Sequence, residues 1–111
     1  MKYYKEDGKT SVGSNKPEEI TLEAALQEID KLPDEEIVDD NFIGFTNEKK
    51  ETVQFIRREQ NSWFLDAPIL ENGKFVYSLQ ETDVTTEKVK DVVKKFYSEE
   101  NWKSLCNLKE Q

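Results

Sequence analysis

The chain has 111 residues, of which 36% are charged and 35% hydrophobic, and its formal net charge is −8. This length indicates one domain, and the negative charge disfavours nucleic acids and anionic membranes as partners. The lack of His and the single Cys exclude an internal disulfide and His-dependent nucleophilic sites, and they argue against a zinc site.

The first nineteen residues are polar and contain two glycines. We expect this stretch, 1–19, to form a mobile arm, because it offers few apolar residues to bury. The remaining residues, 20–111, are predicted to form a single α+β domain.

A first helix is predicted over Ile20–Lys31. Its apolar residues recur at helical spacing and form one stripe: Leu22, Ala25, Leu26 and Ile29. Thr21 is placed to cap the first turn by accepting a bond from a free backbone N–H. Pro33 should end the helix, because proline disfavours helical geometry at the preceding residue.

An acidic connector follows over residues 33–40, and the first 41 residues hold five Lys against twelve Asp or Glu. Its carboxylates are candidate contacts for a basic partner: Asp34, Glu35, Glu36, Asp39 and Asp40. Oxygen ligands of this kind also suit calcium. Counted from Asp39, however, an EF-hand loop would have Ile43 at its fifth position and Lys50 at its twelfth. A solvated acidic loop is therefore the favoured interpretation.

Four strands are predicted next: Asn41–Thr46, Glu51–Arg58, Ser62–Leu70 and Lys74–Leu79. The short loops between them favour an antiparallel meander. Asn72-Gly73, in the last loop, is typical of a type I′ hairpin turn, in which both central residues need positive φ.

The pairing of the last two strands depends on Pro68. A strict two-residue turn would place Asp66 opposite Leu79, on the apolar face. A bulge near Pro68 would shift the pairing by one residue and align Leu65 and Ala67 with that face instead. Because proline has no N–H for the ladder, a bulge or a sheet edge is expected there, and we favour the bulge.

A second helix is predicted over Thr86–Tyr97. Its apolar stripe consists of Val89, Val92, Val93 and Phe96. We therefore predict an antiparallel four-stranded meander sheet with two helices packed on one face, in the order α-β-β-β-β-α. The other face of the sheet would then be partly open to solvent or to a partner.

Trp63 and Phe64 are neighbours in a predicted strand, so their side chains should point to opposite faces of the sheet. At least one of them then lies off the helix-covered face, which makes both candidate interface residues. Core packing is the simpler role for either. Asp66 is the one candidate for carboxylate-only catalysis, but a carboxylate that is exposed at a bulge or bonded to backbone N–H groups there is the favoured interpretation. We expect no enzymatic activity and no cofactor.

The layout has an early helix with Leu22-Glu23-Ala24-Ala25-Leu26, strands around Phe42-Ile43-Gly44-Phe45 and Trp63-Phe64-Leu65, and a closing helix Val89–Phe96 before Trp102. Across residues 20–102 this layout resembles a family of small bacterial immunity proteins that neutralise polymorphic toxins. The resemblance implies a non-enzymatic protein that binds a toxin, often a nuclease with a basic cleft.

We expect a small, soluble, non-enzymatic domain that binds another protein, with a basic partner favoured. A cytoplasmic location is expected from the unpaired Cys106, the lack of a signal peptide and the lack of an apolar run near the ~20 residues of a membrane helix. The alternative is a small-molecule or calcium-binding module that uses residues 34–41 or the open sheet face.

Overall fold

Antiparallel pairing joins strands from both ends of the chain into one sheet. The computed structural model describes residues 1–110, and within them the sheet has eight strands and packs against two helices. The strands are β1 (Lys2–Glu6), β2 (Ser11–Val12), β3 (Glu18–Glu19), β4 (Phe42–Thr46), β5 (Thr52–Glu59), β6 (Ser62–Glu71), β7 (Lys74–Val84) and β8 (Lys109–Glu110). The helices are α1 (Leu22–Lys31) and α2 (Thr86–Tyr97), and a 3-10 turn covers Trp102–Leu105. Along the sheet the order is β2-β1-β4-β5-β6-β7-β8, and β3 also pairs with β1.

The predicted α+β class and antiparallel pairing are confirmed, but the number of strands and the order of elements were wrong. The sheet has eight strands where four were predicted, and three of them precede α1. β1 lies beside β4, with Tyr3 opposite Phe45 and Tyr4 opposite Gly44. The stretch 1–19, for which we expected a mobile arm, thus contains β1, β2 and β3.

β1 is a polar strand, and its central charge, that of Lys5, is paired within the fold. The ammonium group of Lys5 lies 2.8 Å from the Glu28 carboxylate on α1 and 3.3 Å from that of Asp7. Asp7 also accepts bonds from the backbone N–H groups of Lys9 and Thr10, which shape the turn into β2. A strand of this kind satisfies its charges locally and does not need an apolar sequence.

Both helices begin at threonine caps. The Thr21 hydroxyl accepts a bond from the backbone N–H three residues later at 3.2 Å, as predicted, and Thr85 caps α2 in the same way at 3.2 Å. α1 ends at Lys31, and Leu32 is extended with φ −65° and ψ 124°, as the proline at position 33 requires. Within residues 1–110 neither helix has the length and apolar character needed to cross a membrane.

The core lies between the helix layer and one face of the sheet. The strand residues that point toward the helices are almost completely buried: Ile43, Phe45, Val53, Phe55, Trp63, Leu65, Ala67 and Val84. They pack against the buried residues of both helices and against Trp102, whose ring meets Phe96 edge-on with 6.0 Å between centroids. Both helices therefore cover the same face, as predicted.

The hairpin between β6 and β7 contains the predicted turn and the predicted bulge. Asn72 and Gly73 have φ values of 54° and 79°, as a type I′ turn needs. Leu70 pairs with Phe75, but the pairing then shifts by one residue, so Asp66 faces Gln80. The bulge therefore removes the Asp66 carboxylate from the apolar face of the sheet.

The ladder between β5 and β6 ends two residues before Pro68. Its last pair is Gln54 with Asp66, and a further pair of hydrogen bonds would need an N–H that Pro68 lacks. β6 nevertheless continues to Glu71, paired only with β7. The outer part of the β6–β7 hairpin thus projects beyond β5.

The ring of Tyr4 lies across the backbone of β4 at Gly44. A Cβ atom added to Gly44 would overlap Cζ, Oη and Cε2 of Tyr4. The missing side chain lets the tyrosine hydroxyl pass over β4 and donate a 2.8 Å hydrogen bond to Gln54 Oε1 on β5. Glycine is therefore required here for a close approach.

The substitution Gly44→Ala should lower the free energy of unfolding by about 1–3 kcal/mol, since the new methyl group displaces a packed ring. Urea unfolding followed by tryptophan fluorescence measures this change. Gly13→Ala is the control, because its methyl group would meet only the exposed Asn15 side chain, and it should change stability by no more than ~0.5 kcal/mol. In a Tyr4→Ala background the cost of Gly44→Ala should largely disappear; an undiminished cost would contradict the assignment.

Candidate functional site

A row of mainly polar residues crosses the open face of the sheet, the face that the helices leave uncovered. Cross-strand pairing aligns one residue from each of six strands: Tyr4, Gly44, Gln54, Asp66, Gln80 and Lys109. The Gln54 amide donates to one Asp66 oxygen at 3.1 Å, and the Gln80 amide donates to the other at 2.9 Å. With the bond from Tyr4 to Gln54, side-chain hydrogen bonds connect β1, β5, β6 and β7. We call this set the polar row.

Asp66 therefore stands in the middle of the polar row, half-buried, with both carboxylate oxygens already accepting hydrogen bonds. We had expected an exposed carboxylate or one bonded to backbone N–H groups, and the partners are side-chain amides instead. A carboxylate bonded in this way links β6 to β5 on one side and to β7 on the other, and it helps to hold the three strands in register.

A second row, of apolar side chains, runs beside the polar row on the open face. Phe42, Ile56 and Phe64 are paired across β4, β5 and β6 and are half-buried. The Arg58 guanidinium lies 5.3 Å from the centre of the Phe64 ring, a cation–π distance. We call these three residues the apolar row.

Arg58 also joins the apolar row to the acidic connector. Its Nη1 atom lies 2.8 Å from Glu35 Oε1, while its guanidinium contacts Phe64. The connector therefore borders the end of the apolar row. The acidic connector and Phe64, which were predicted separately as interface residues, thus lie close together.

The connector has a defined shape that separates its two apolar side chains. Asp34 caps a turn by accepting bonds from the N–H groups of Glu36, Ile37 and Val38. Val38 turns inward, since a Cβ atom on Gly8 would lie 2.7 Å from its Cγ1. Ile37 turns outward and is 75% exposed. An exposed apolar side chain thus stands among carboxylates.

Asn41 fastens the end of the connector to the sheet. The residue is buried, and its side-chain amide donates to the carbonyl groups of Pro33 at 2.8 Å and Arg57 at 2.5 Å. Arg57 in turn donates to the Leu32 carbonyl at 2.7 Å. Both ends of the loop are therefore held against β5.

The structure divides the predicted interface residues. Phe64 lies on the open face beside the connector, whereas Trp63 points into the core, is fully buried and donates to the Thr86 hydroxyl at 2.8 Å. The opposite orientation of the two rings is confirmed, but Trp63 has no surface to offer a partner. Ile37 and Arg58 were not predicted as interface residues; an isoleucine inside an acidic run was the available signal for the first.

The acidic connector offers no ready calcium cage. Among the residues that the structure describes, no three Asp, Glu or Cys side chains are grouped closely enough to hold a metal ion. Glu35 is engaged by Arg58, and Asp34 accepts a backbone hydrogen bond within its own turn. The geometry therefore gives the calcium alternative no support.

Comparisons with protein-family models, curated proteins and solved structures found no match. The resemblance to immunity proteins therefore rests on the layout of elements. Within residues 20–102 the structure has α1, four strands and α2 in that order, and the four other strands lie outside this range.

The substitution Asn41→Ala should destabilise the protein by about 1–3 kcal/mol, because two backbone carbonyls would lose their donor. Amide hydrogen exchange should also accelerate in residues 34–40. Asn101→Ala is the matched control, since Asn101 is exposed and its side chain makes no capping hydrogen bond. Equal effects of the two substitutions would contradict the anchoring role of Asn41.

Alkaline pH should weaken the fold through Tyr4. Burial raises the pKa of Tyr4 to about 12, and the nearby Asp66 carboxylate acts in the same direction. In the unfolded chain a tyrosine releases this proton at roughly pH 10. Between about pH 10 and 12 the folded state therefore binds more protons than the unfolded state, so the free energy of unfolding should fall as pH rises. Urea unfolding across this range measures the slope, which Tyr4→Phe should reduce. An unchanged slope would show that Tyr4 does not titrate in this way.

Proposed function

We propose that this protein is a small, non-enzymatic binding domain whose partner is another protein with a basic surface. The observation that carries the proposal is the junction at Arg58, where the acidic connector meets the apolar row. The more specific form of the proposal is an inhibitor of a basic toxin, located in a reducing compartment such as the cytoplasm.

The junction has the composition of a protein-binding surface. Interfaces commonly combine a buried apolar centre with a polar and charged rim. Phe64 and Ile56 supply apolar surface on the sheet, and the exposed Ile37 supplies a side chain able to enter a pocket on a partner. Anchors of this kind provide most of the binding energy in many complexes.

The charge of the connector supports a basic partner. Glu36, Asp39 and Asp40 are exposed, and none of them forms an ion pair within residues 1–110. Free carboxylates around an apolar anchor attract a positively charged surface during approach and orient it. Because this attraction is screened by salt, it should speed association most at low ionic strength.

The toxin proposal draws on two further considerations. An enzyme that cleaves nucleic acid needs a positively charged cleft to hold phosphates, and an acidic surface can occupy such a cleft. The layout of residues 20–102 resembles that of immunity proteins, which act by binding toxins.

Capture from native lysate tests the proposal. The immobilised wild-type protein should retain a basic protein at ~50 mM salt and less of it at ~300 mM. Ile37→Ser, and separately Glu36→Gln with Asp39→Asn, should each reduce retention at least about fivefold, since they remove the anchor or two free carboxylates. These side chains are exposed, so stability should change by no more than ~0.5 kcal/mol.

Glu23→Gln with Glu87→Gln is the matched control. Both residues are exposed on the helix layer, and the double substitution changes net charge by the same amount. Mass spectrometry identifies the retained protein, and an activity assay on that protein tests inhibition. The proposal fails if no protein is retained, or if the control reduces retention as much as the connector variants do.

A further inference from the structure

A second surface lies where the β6–β7 hairpin projects beyond β5. Between the hairpin and the turn that joins β4 to β5 there is a cleft of about 220 Å³. Its apolar lining comes from Ala67, Pro68, Ile69 and Leu70 of β6 and from Trp102. The cleft opens at the position where Pro68 ends the pairing of β5 with β6.

Three lysines line the same cleft: Lys49, Lys50 and Lys103. None of them forms an ion pair in the part of the chain that the structure describes. The ammonium group of Lys103 lies 5.7 Å from the centre of the Trp102 ring, and the one carboxylate in the lining belongs to Glu51. Lysines thus outnumber carboxylates three to one in this lining, on a chain whose net charge is −8, while Glu99 and Glu100 line an adjoining depression with Lys49 and Lys103.

The turn that carries two of these lysines is held rigidly. The buried Asn47 side chain accepts bonds from the N–H groups of Lys49 and Glu51, both at 3.0 Å, and its amide donates to the Glu51 carboxylate at 3.0 Å. Lys50 takes the left-handed conformation with φ 63°. Because the backbone is already fixed, a ligand has less disorder to remove on binding.

We propose that this lysine cleft binds an acidic peptide segment of a partner protein, with one apolar side chain of the segment inserted against Trp102. Its volume lies below the ~300–1,000 Å³ typical of small-molecule sites and suits a single side chain. The lysines would pair with carboxylates on either side of that anchor. Leu70, at the end of this lining, is 50% exposed.

Side-chain contacts, and not strand addition, should hold the segment. Adding a strand to β6 would need ladder donors along its free edge, and Pro68 removes one of them. The lysine cleft is also separate from the acidic connector. Thr52, in the cleft, and Arg58, beside the connector, are six residues apart on β5, which corresponds to roughly 20 Å.

Peptide titration of the ¹⁵N-labelled full chain tests the proposal at about 150 mM salt, where the overall negative charge is partly screened. The probe is an acetylated, amidated pentapeptide with a central leucine between two pairs of glutamates. The indole N–H signal of Trp102, which lines the cleft, should shift saturably, while that of Trp63, which does not line it, should stay fixed. Peptides with serine for leucine, or with lysine for glutamate, should bind at least about fivefold more weakly.

Lys49→Glu should raise the dissociation constant about fivefold, because a rim attraction becomes a repulsion. Lys9→Glu is the matched control, since Lys9 is also exposed, lies far away on the β1–β2 turn and changes net charge equally. The proposal is overturned if the Trp102 signal stays fixed, if the serine peptide binds equally well, or if both lysine substitutions weaken binding alike. It is also overturned if sedimentation shows self-association that Lys49→Glu abolishes, because the cleft would then be occupied by a second copy of this chain.

Discussion

The open face of the sheet depends on the missing side chain at Gly44. Only a bare backbone at this position lets the Tyr4 ring cross β4 and reach Gln54, and from Gln54 hydrogen bonds continue through Asp66 to Gln80. The polar row thereby ties the first strand of the chain to β5, where Gln54 lies 50 residues after Tyr4, and through it to β6 and β7. It also keeps the middle of this face polar, with the apolar row on one side of it.

Each candidate surface begins where regular structure stops for a chemical reason. The acidic connector leaves α1 at the proline that ends the helix, and Asn41 returns it to the sheet. The lysine cleft opens where Pro68 has no N–H for β5. Proline thus has two separate effects in this fold. Pro33 ends α1 before the connector, and Pro68 ends the pairing of β6 with β5.

Much of the fold follows from short-range signals in the sequence. Helix caps, the end of α1, the Asn72-Gly73 turn, the bulge near Pro68 and the opposite orientations of Trp63 and Phe64 all depend on residues close together in the chain. β1 does not depend on such local signals, because its stability comes from pairing with β4, some 40 residues away in the chain. The Asp7-Gly8 turn was a signal for it, but the charged neighbours gave no apolar alternation.

The site was harder to predict than the fold. Arg58 joins Glu35 to Phe64 only because the connector folds back over the end of β5, and no spacing in the sequence encodes that return. Trp63 was a candidate interface residue, but it lies in the core. Alternation shows that the two rings point to different faces, but the helix layer decides which ring is buried, and the helices are distant in sequence.

The placement of charge along β5 has an electrical consequence. Among residues 1–110, carboxylates without an ion pair lie in the connector near Arg58 at one end, and lysines without one line the cleft near Thr52 at the other, so these two groups contribute a dipole along that strand. A dipole experiences a torque in the field of any charged body. These two groups of charges should therefore favour orientations in which the connector faces a cationic surface and the lysine cleft faces an anionic one.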